Sequence, residues 1–598
     1  MMKIRQLLIS AVSLSAVLPL SFLNAQTSPD ISAKDLEKHI SYLASDELSG
    51  RYPGTEGSQK AAEYIRTQFQ NAGLKLLGNN GFQEFEQVVN VSAGENNTLK
   101  INNIEFKQGM DFAPFPFSSN ATLNAPVVFA GYGFDINTDS LKWNDYEGID
   151  VSSKWVIIFR ADPEYEKQES HFINYGDARD KVILAKDKGA AGVLFVSGKK
   201  FNADDELVSM YFDKTQSTAG IPVIHIKRTV ADELLKADHL QIDSLESKLI
   251  STMTPFSFAL KTKADATTEV LQQKVIAKNV VGMLEGSDPV LKNTYVVVGA
   301  HYDHLGMGGP GSGSRFLDSM AVHNGADDNA SGVAGVLELA AWFGAQKSNL
   351  RSIIFVTFDC EELGLLGSRY FTDHPVIDLK NVMAMVNFDM IGRLKDDSPA
   401  IMIGGTGTST ESEQILGSLN TGEIKMNFSP EGYGASDHAA FYSDNIPVFF
   451  FSTGAHEDYH TPDDDWQKIN YKGEEEVVKI GDQLVTYLVN RQEPLTFQEA
   501  GPKEQQGGRA GYRFKVTLGI MPDFTSTSTD GLGVGGVKKD GPAFKAGMLK
   551  GDVITAMDGM PVHDIYEYMN RLKKLQPGQR ISVDVLRNNE KVVLIIQL

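Results

Sequence analysis

Apolar runs recur through the middle of the chain, and each stops at residues able to carry chemistry. The Val-rich run 295–300 ends at His301, Tyr302, Asp303 and His304, and the run 351–358 leads into Asp359, Glu361 and Glu362. The run 382–388 ends at Asp389, and 446–452 precedes Tyr459, His460, Thr461 and Pro462. Continuous apolar runs of this length predict strands buried on both faces, as in a parallel sheet, where functional side chains sit just past the carboxyl ends of the strands. The mostly apolar stretch 331–343 predicts a helix packed on that sheet. Strand, loop and helix alternate through Asp389, so the expected fold class is α/β, a doubly wound mixed sheet.

The flanking pattern divides the chain. Helical spacing over 35–73, broken at 50–54, and a strand over 82–91 predict the opening of the main domain, residues 26–95. From about residue 96 short strands dominate, at 98–101, 127–130, 155–159, 192–196 and 221–226, with a helix over 178–189. They predict a β-rich insert spanning 96–255, after which 256–497 returns to the main domain. His171 and His225 stand alone in the insert and are expected to be structural. Residues 498–510 are rich in Gly, Gln, Glu and Lys and read as a linker to a small domain, 511–598.

Residues 1–25 have a basic start followed by a mostly apolar stretch, the pattern of a secretory signal peptide cleaved after Ala25, which predicts a periplasmic or secreted protein. A retained membrane anchor is the alternative reading. No later stretch approaches a membrane span, so none is expected after cleavage. With 56 Lys and Arg against 77 Asp and Glu the net charge is −21, which repels nucleic acid and anionic membranes. Cys360 is the only cysteine, so no intramolecular disulfide can form.

The strand-end residues offer a donor set: His301, Asp328 (in the loop 325–332), Glu362, Asp389 and His460. Imidazole with carboxylate and no thiolate suits Zn²⁺, with Co²⁺ or Mn²⁺ as substitutes, and two histidines argue against Ca²⁺. Five ligands exceed what one catalytic zinc with an open position takes, but fit two ions sharing a carboxylate. Two ions at +4, three carboxylates and one hydroxide sum to zero. Adjacent Glu361 and Glu362 cannot both ligate one ion comfortably, so one of them is a candidate general base. Asp303 is expected to accept the free N–H of His301, and Asp464 that of His460. His304 and His323 are expected to be supporting residues. The neighbours Ser436, Asp437 and His438 cannot converge as a triad, and no nucleophile-elbow motif is present, which argues against a serine hydrolase.

These motifs, a His-x-Asp after a strand, Gly-x-x-Asp-x-x-Ser-Gly, Glu-Glu-x-Gly-x-x-Gly-Ser, a strand-end Asp and His-Thr-Pro, resemble those of the di-zinc aminopeptidases in the bacterial leucyl aminopeptidase and glutamate carboxypeptidase superfamily. The resemblance covers roughly 35–95 and 256–490. It implies a zinc exopeptidase-like fold, peptide substrates and two Zn²⁺ ions. It implies that Asp328 bridges them, with His301 and Asp389 on one ion and Glu362 and His460 on the other. It also implies Glu361 as base and Tyr459 as donor to the tetrahedral oxyanion. The insert resembles the protease-associated domain through the run 186–195, and that resemblance implies a wall or gate of the cleft. The run 541–559 resembles the PDZ domain, with Leu518, Gly519 and Ile520 as its expected carboxylate-binding loop for a carboxyl-terminal peptide ligand. A carboxypeptidase would need basic residues near the metals, for which Arg315, Arg369 and Arg393 are the candidates. An aminopeptidase needs acids, which Glu361, Asp389 and Asp458 can supply. The balance favours the amino end. A carboxypeptidase or another amidohydrolase on the same metals remains the alternative, and a binding protein on a dead scaffold is disfavoured because every expected ligand is present.

Overall fold

The computed structural model describes residues 30–167, 170–214, 217–309, 311–316, 320–501, 516–522, 531–537, 541–563, 565–575 and 578–598. The expected signal peptide and most of the expected linker lie outside these residues.

Four strands run parallel at the centre of a nine-stranded mixed sheet, in the spatial order Ser352–Phe358, Tyr295–His301, Val382–Phe388, Val448–Ser452. Antiparallel strands flank them, Val270–Leu284 on one side and Ala400–Gly404 on the other. The chain leaves Tyr295–His301 first for the neighbour on one side and then for the neighbour on the other. That reversal opens a crevice at the carboxyl end of this strand, the place where such sheets bind ligands.

Alternation within the strands explains the layering. Val296, Val298 and Ala300 face one core with the helices Ala33–Leu43, Glu56–Asn71, Gly332–Gln346 and Tyr471–Asn490. Val297, Ile354 and Val356 face the opposite core with Phe371 and Phe441, from the helices Leu366–Asp373 and His438–Ser443. Burial on both faces accounts for the unbroken apolar runs.

The insert forms its own eight-stranded sheet with separate cores. Its last strand is Ser257–Thr268, which pairs with Ala121–Ala130 and Thr98–Ile101, so the boundary expected at 255/256 falls after Thr268. Register decides this: Ala264 and Ala266 point into the insert's core, not toward the main sheet. A long antiparallel ladder, Phe82–Ala93 against Val270–Leu284, carries the chain out to the insert and back. The carboxyl-terminal domain is a small antiparallel sheet with the helices Pro542–Lys545 and Ile565–Lys573 around one apolar core. Residues 498–501 do not behave as free linker. Gln498 N–H donates to Thr408 O at 2.8 Å and Ala500 N–H to Tyr442 Oη at 3.0 Å. Among the described residues, no helix is long and apolar enough to cross a membrane.

Candidate metal centre

His301 ends its strand fully buried. Its Nδ1 lies 3.2 Å from the Asp303 carbonyl oxygen, an acceptor, so Nδ1 holds a proton there and Nε2 is the nitrogen turned to the carboxylates. That Nε2 is 3.3 Å from Asp328 Oδ1, 3.6 Å from Asp389 Oδ1 and 3.9 Å from Glu361 Oε2. On the other side of Asp328, His460 Nε2 is 3.1 Å from Asp328 Oδ2 and 3.4 Å from Glu362 Oε2. Asp328 thus turns one carboxylate oxygen toward each imidazole. The backbone that delivers it depends on Gly325, at φ 57°, where a Cβ would lie 2.2 Å from Asp328 O and 2.5 Å from the His304 ring.

The supporting residues differ in part from expectation. Asp303 approaches His301 Nδ1 only at 3.7 Å through its carboxylate, and instead accepts the backbone N–H of Glu361 at 3.0 Å and of Glu362 at 3.3 Å. Asp464 does not serve His460. Its carboxylate accepts the N–H groups of Asp327 and Asp328, each at 3.0 Å, while His460 Nδ1 contacts Gly313 O at 3.1 Å. An acidic residue three or four positions after a histidine in an irregular loop has no fixed direction, which is why spacing misled. Tyr459 stacks on the His460 ring with centroids 3.9 Å apart.

Residues that the sequence left in minor roles stand close to the centre. His304 Nδ1 is 2.8 Å from Glu362 Oε1, and His304, Asp328 and Glu362 converge as closely as His301, Asp328 and Asp389 do. Ser436 Oγ donates to Asp389 Oδ2 at 2.6 Å and is itself held by Asn387 Nδ2 at 2.8 Å. Arg51, fully buried, donates to the carbonyls of Tyr302, Asn324 and Gly325, tying together the two loops that carry His301 and Asp328. The His301-Tyr302-Asp303-His304 run was a signal for His304. For Ser436 and Arg51 the sequence carries none.

The electrostatics are those of a crowded anionic pocket. Burial lowers the His301 pKa, but Glu361 and Asp389 outweigh it and hold the imidazole well above its ordinary value. Burial is likewise outweighed at His460, raised to about 11 by its contacts with Asp328 and Glu362. For the carboxyls burial acts upward. At Asp328 it loses to His304, His301 and His460, leaving that group well below its ordinary value, and Glu362 falls to about 2 through His304 and His460 despite burial and Asp328. Glu361 goes the other way: burial, with Glu362, Asp437 and Asp389 adding to it against His301, raises it well above the ordinary carboxyl range. The Nε2 atoms of His301 and His304 are buried without a hydrogen-bond partner. Unpartnered imidazole nitrogens set beside a knot of buried carboxylates fit divalent cations, which would displace protons, neutralise the charge and occupy both nitrogens.

A mixed α/β sheet with imidazoles and carboxylates gathered at its switch point defines the class of metal-dependent hydrolases of zinc-exopeptidase type. Residues 279–484 match peptidase family M28, residues 123–234 the PA domain and residues 512–598 the PDZ domain. Along the chain the matched stretches therefore run in the order PA domain, peptidase family M28, PDZ domain. Aminopeptidase YwaD of Bacillus subtilis is 25% identical over 478 residues, which cover 78% of this chain and 86% of that protein. Leupeptin-inactivating enzyme 1 of Streptomyces exfoliatus is 31% identical over 186 residues, covering 30% of this chain and 36% of that one. Among solved structures, an aminopeptidase from Aneurinibacillus sp. strain AM-1 superposes with a TM-score of 0.46 at 21% identity, covering 78% of this chain and 95% of that one.

Proposed function

We propose that this chain is a zinc aminopeptidase that removes amino-terminal residues from peptides with two metal ions. The observation that carries the reading is Asp328, set between His301 and His460 with one oxygen facing each. In this reading His301 and Asp389 hold one cation, Glu362 and His460 the other, and Asp328 both, with Co²⁺ or Mn²⁺ able to substitute for Zn²⁺. Bound there, such ions polarise a peptide carbonyl and make water a stronger acid.

The chain's own groups divide the remaining work. Glu361, its pKa raised by burial and by neighbouring carboxylates, takes a proton from the attacking water and returns it to the leaving amine. Tyr459, stacked on His460, donates its hydroxyl to the oxyanion that develops at the carbonyl. Ser436 and Asp303 fix the Asp389 carboxylate and the Glu361-Glu362 backbone, so little reorganises during reaction. His304 orients Glu362.

Attack at the amino end is supported by the state of the nearby cations. Arg393 is ion-paired with Asp458, which also binds Lys468 at 2.9 Å, and Arg315 donates to the carbonyls of Glu457 and Tyr459. Those partners occupy two of the three guanidinium groups that a carboxypeptidase would draw on, Arg393 and Arg315. They also remove Asp458 from the acids available to a substrate ammonium, leaving Glu361 and Asp389.

Periplasmic or secreted location follows from the basic start and apolar stretch within residues 1–25. For the PDZ domain the proposed ligand is a peptide carboxyl terminus at Leu518, Gly519 and Ile520. The strand Ile520–Pro522 lies at the end of its sheet, and Gly519, at φ 73°, donates its N–H to Thr517 Oγ1 at 3.0 Å. A peptide with a free carboxyl terminus should bind the full chain better than its amide, and equal affinity would contradict the assignment.

Chelation tests the metal reading. Stripped protein should lose peptidase activity and melt at a lower temperature, and added zinc should restore both. Full turnover by protein shown by elemental analysis to be metal-free would overturn it.

A further inference from the structure

The PA insert does more than stand beside the cleft, because one segment of it crosses to the loops that carry the candidate ligands. Lys214 Nζ donates to the backbone carbonyl oxygen of Glu362 at 2.6 Å. Two residues earlier, Phe212, 6% exposed, belongs to the apolar cluster that also takes in Phe85, Val88, Cys360, Leu363 and Leu366, residues on both flanks of the Glu361-Glu362 pair among them. The preceding Tyr211 lies against the loop leading to His460's partner. A Cβ on Gly311 would come within 2.8 Å of the Tyr211 ring and 3.1 Å of Phe212 O. At Gly313, whose carbonyl contacts His460 Nδ1, an added Cβ would sit 3.6 Å from that nitrogen and 3.7 Å from Lys214 Nζ.

The segment 208–214 is anchored in the insert at both ends. Val208 N–H donates to His225 Nδ1 at 2.9 Å, and Arg179 clasps Asp213 with Nε at 3.1 Å and a terminal nitrogen at 2.5 Å. An arm fixed at both ends in one domain and pressed by an aromatic ring and an ammonium into another transmits position. The side chain of Glu362 is aimed by His304, its amide by Asp303 and its carbonyl by Lys214.

We propose that Lys214 is a positioning residue of the metal centre, so that the PA insert sets the geometry of the Glu362 and His460 half. The proposal rests on the two-metal reading above and deepens it. Groups that orient metal ligands from outside typically change metal affinity by about 10–100-fold when removed.

The test uses the full chain with Lys214→Met, which keeps the aliphatic stem and deletes the ammonium, and Lys214→Arg, which keeps a cation. Cobalt is titrated into metal-free protein and followed by its visible absorption, with affinities from competition against a chelator. Lys214→Met should bind one of two equivalents about 10–100-fold more weakly and alter the cobalt spectrum of that site. The melting temperature of the metal-free form should hardly move, and Lys214→Arg should recover most of the affinity. Two equivalents bound by Lys214→Met with unchanged affinity and spectrum would overturn the role of Lys214 while leaving the metal reading intact. Wild-type protein that takes up no cobalt would overturn both.

Discussion

Asp464 accepts the backbone N–H of Asp328 at 3.0 Å and that of Asp327 at the same distance, so the residue before the central carboxylate and the residue itself hang from one buried acceptor. Replacement by Ala strands two buried donors, each costing about 1–3 kcal/mol, and frees the loop that presents Asp328. Asp464→Ala should therefore lower the melting temperature by several degrees and weaken metal by about 10–100-fold, whereas Asp464→Asn, which keeps a carbonyl acceptor, should be milder. Calorimetry with chelator competition reads both. A fully stable Asp464→Ala protein with wild-type metal affinity would refute the role.

The adjacent glutamates should separate cleanly. Glu361→Gln removes the group proposed to move the proton, so it should retain about two metals per chain and lose about 10²–10⁴-fold in kcat. Glu362→Gln weakens a donor that His304 and His460 both address, and should cost metal at one site. Metal analysis beside steady-state kinetics decides. The opposite pattern would require the two roles to be exchanged.

His225 gives the insert a pH dependence whose sign follows from its burial. Burial above all, with Arg160 and Lys227, lowers its pKa to about 3, and it accepts Val208 N–H through Nδ1, so the folded ring stays neutral. The unfolded ring, with the ordinary value of 6.5, binds a proton that the folded one does not. The contribution of His225 is therefore complete above pH 6.5 and is lost as pH falls toward 3, by at most ~1.4 kcal/mol per pH unit. Measured by denaturant unfolding at stepped pH, the stability advantage of the wild type over His225→Asn should shrink on acidification. An advantage constant from pH 7.5 to 4.5 would contradict this.

What the sequence made legible was set by periodicity and by position at strand ends. Val297 and Val298 had to face opposite cores, so the run they belong to announced a doubly covered strand, and His301 at its end inherited a known place in such sheets. Glu362, Asp389 and His460 were expected as donors by the same logic and Asp328 from the loop before the packed helix, and their side chains lie near one another around His301 and His460. What stayed hidden depends on contacts across long separations. Asp464 and Asp328 meet through loops without periodicity, and Lys214 meets Glu362 only because an arm of the insert folds back across a domain boundary. Ser257–Thr268 alternates in a way that fits either sheet, and only its pairing with Ala121–Ala130 assigns it to the insert.

Direction of attack is the claim on which the functional account turns. It is read most directly by mass spectrometry of one short peptide offered to the zinc-loaded protein in three forms: free, acetylated at the amino terminus, and amidated at the carboxyl terminus. If an ammonium group is held beside Glu361 and Asp389, the free and amidated forms should lose residues stepwise from the amino end at similar rates, and the acetylated form should stay intact. Rapid hydrolysis of the acetylated peptide, with residues leaving from its carboxyl end, would contradict the aminopeptidase reading while leaving the metal centre as described.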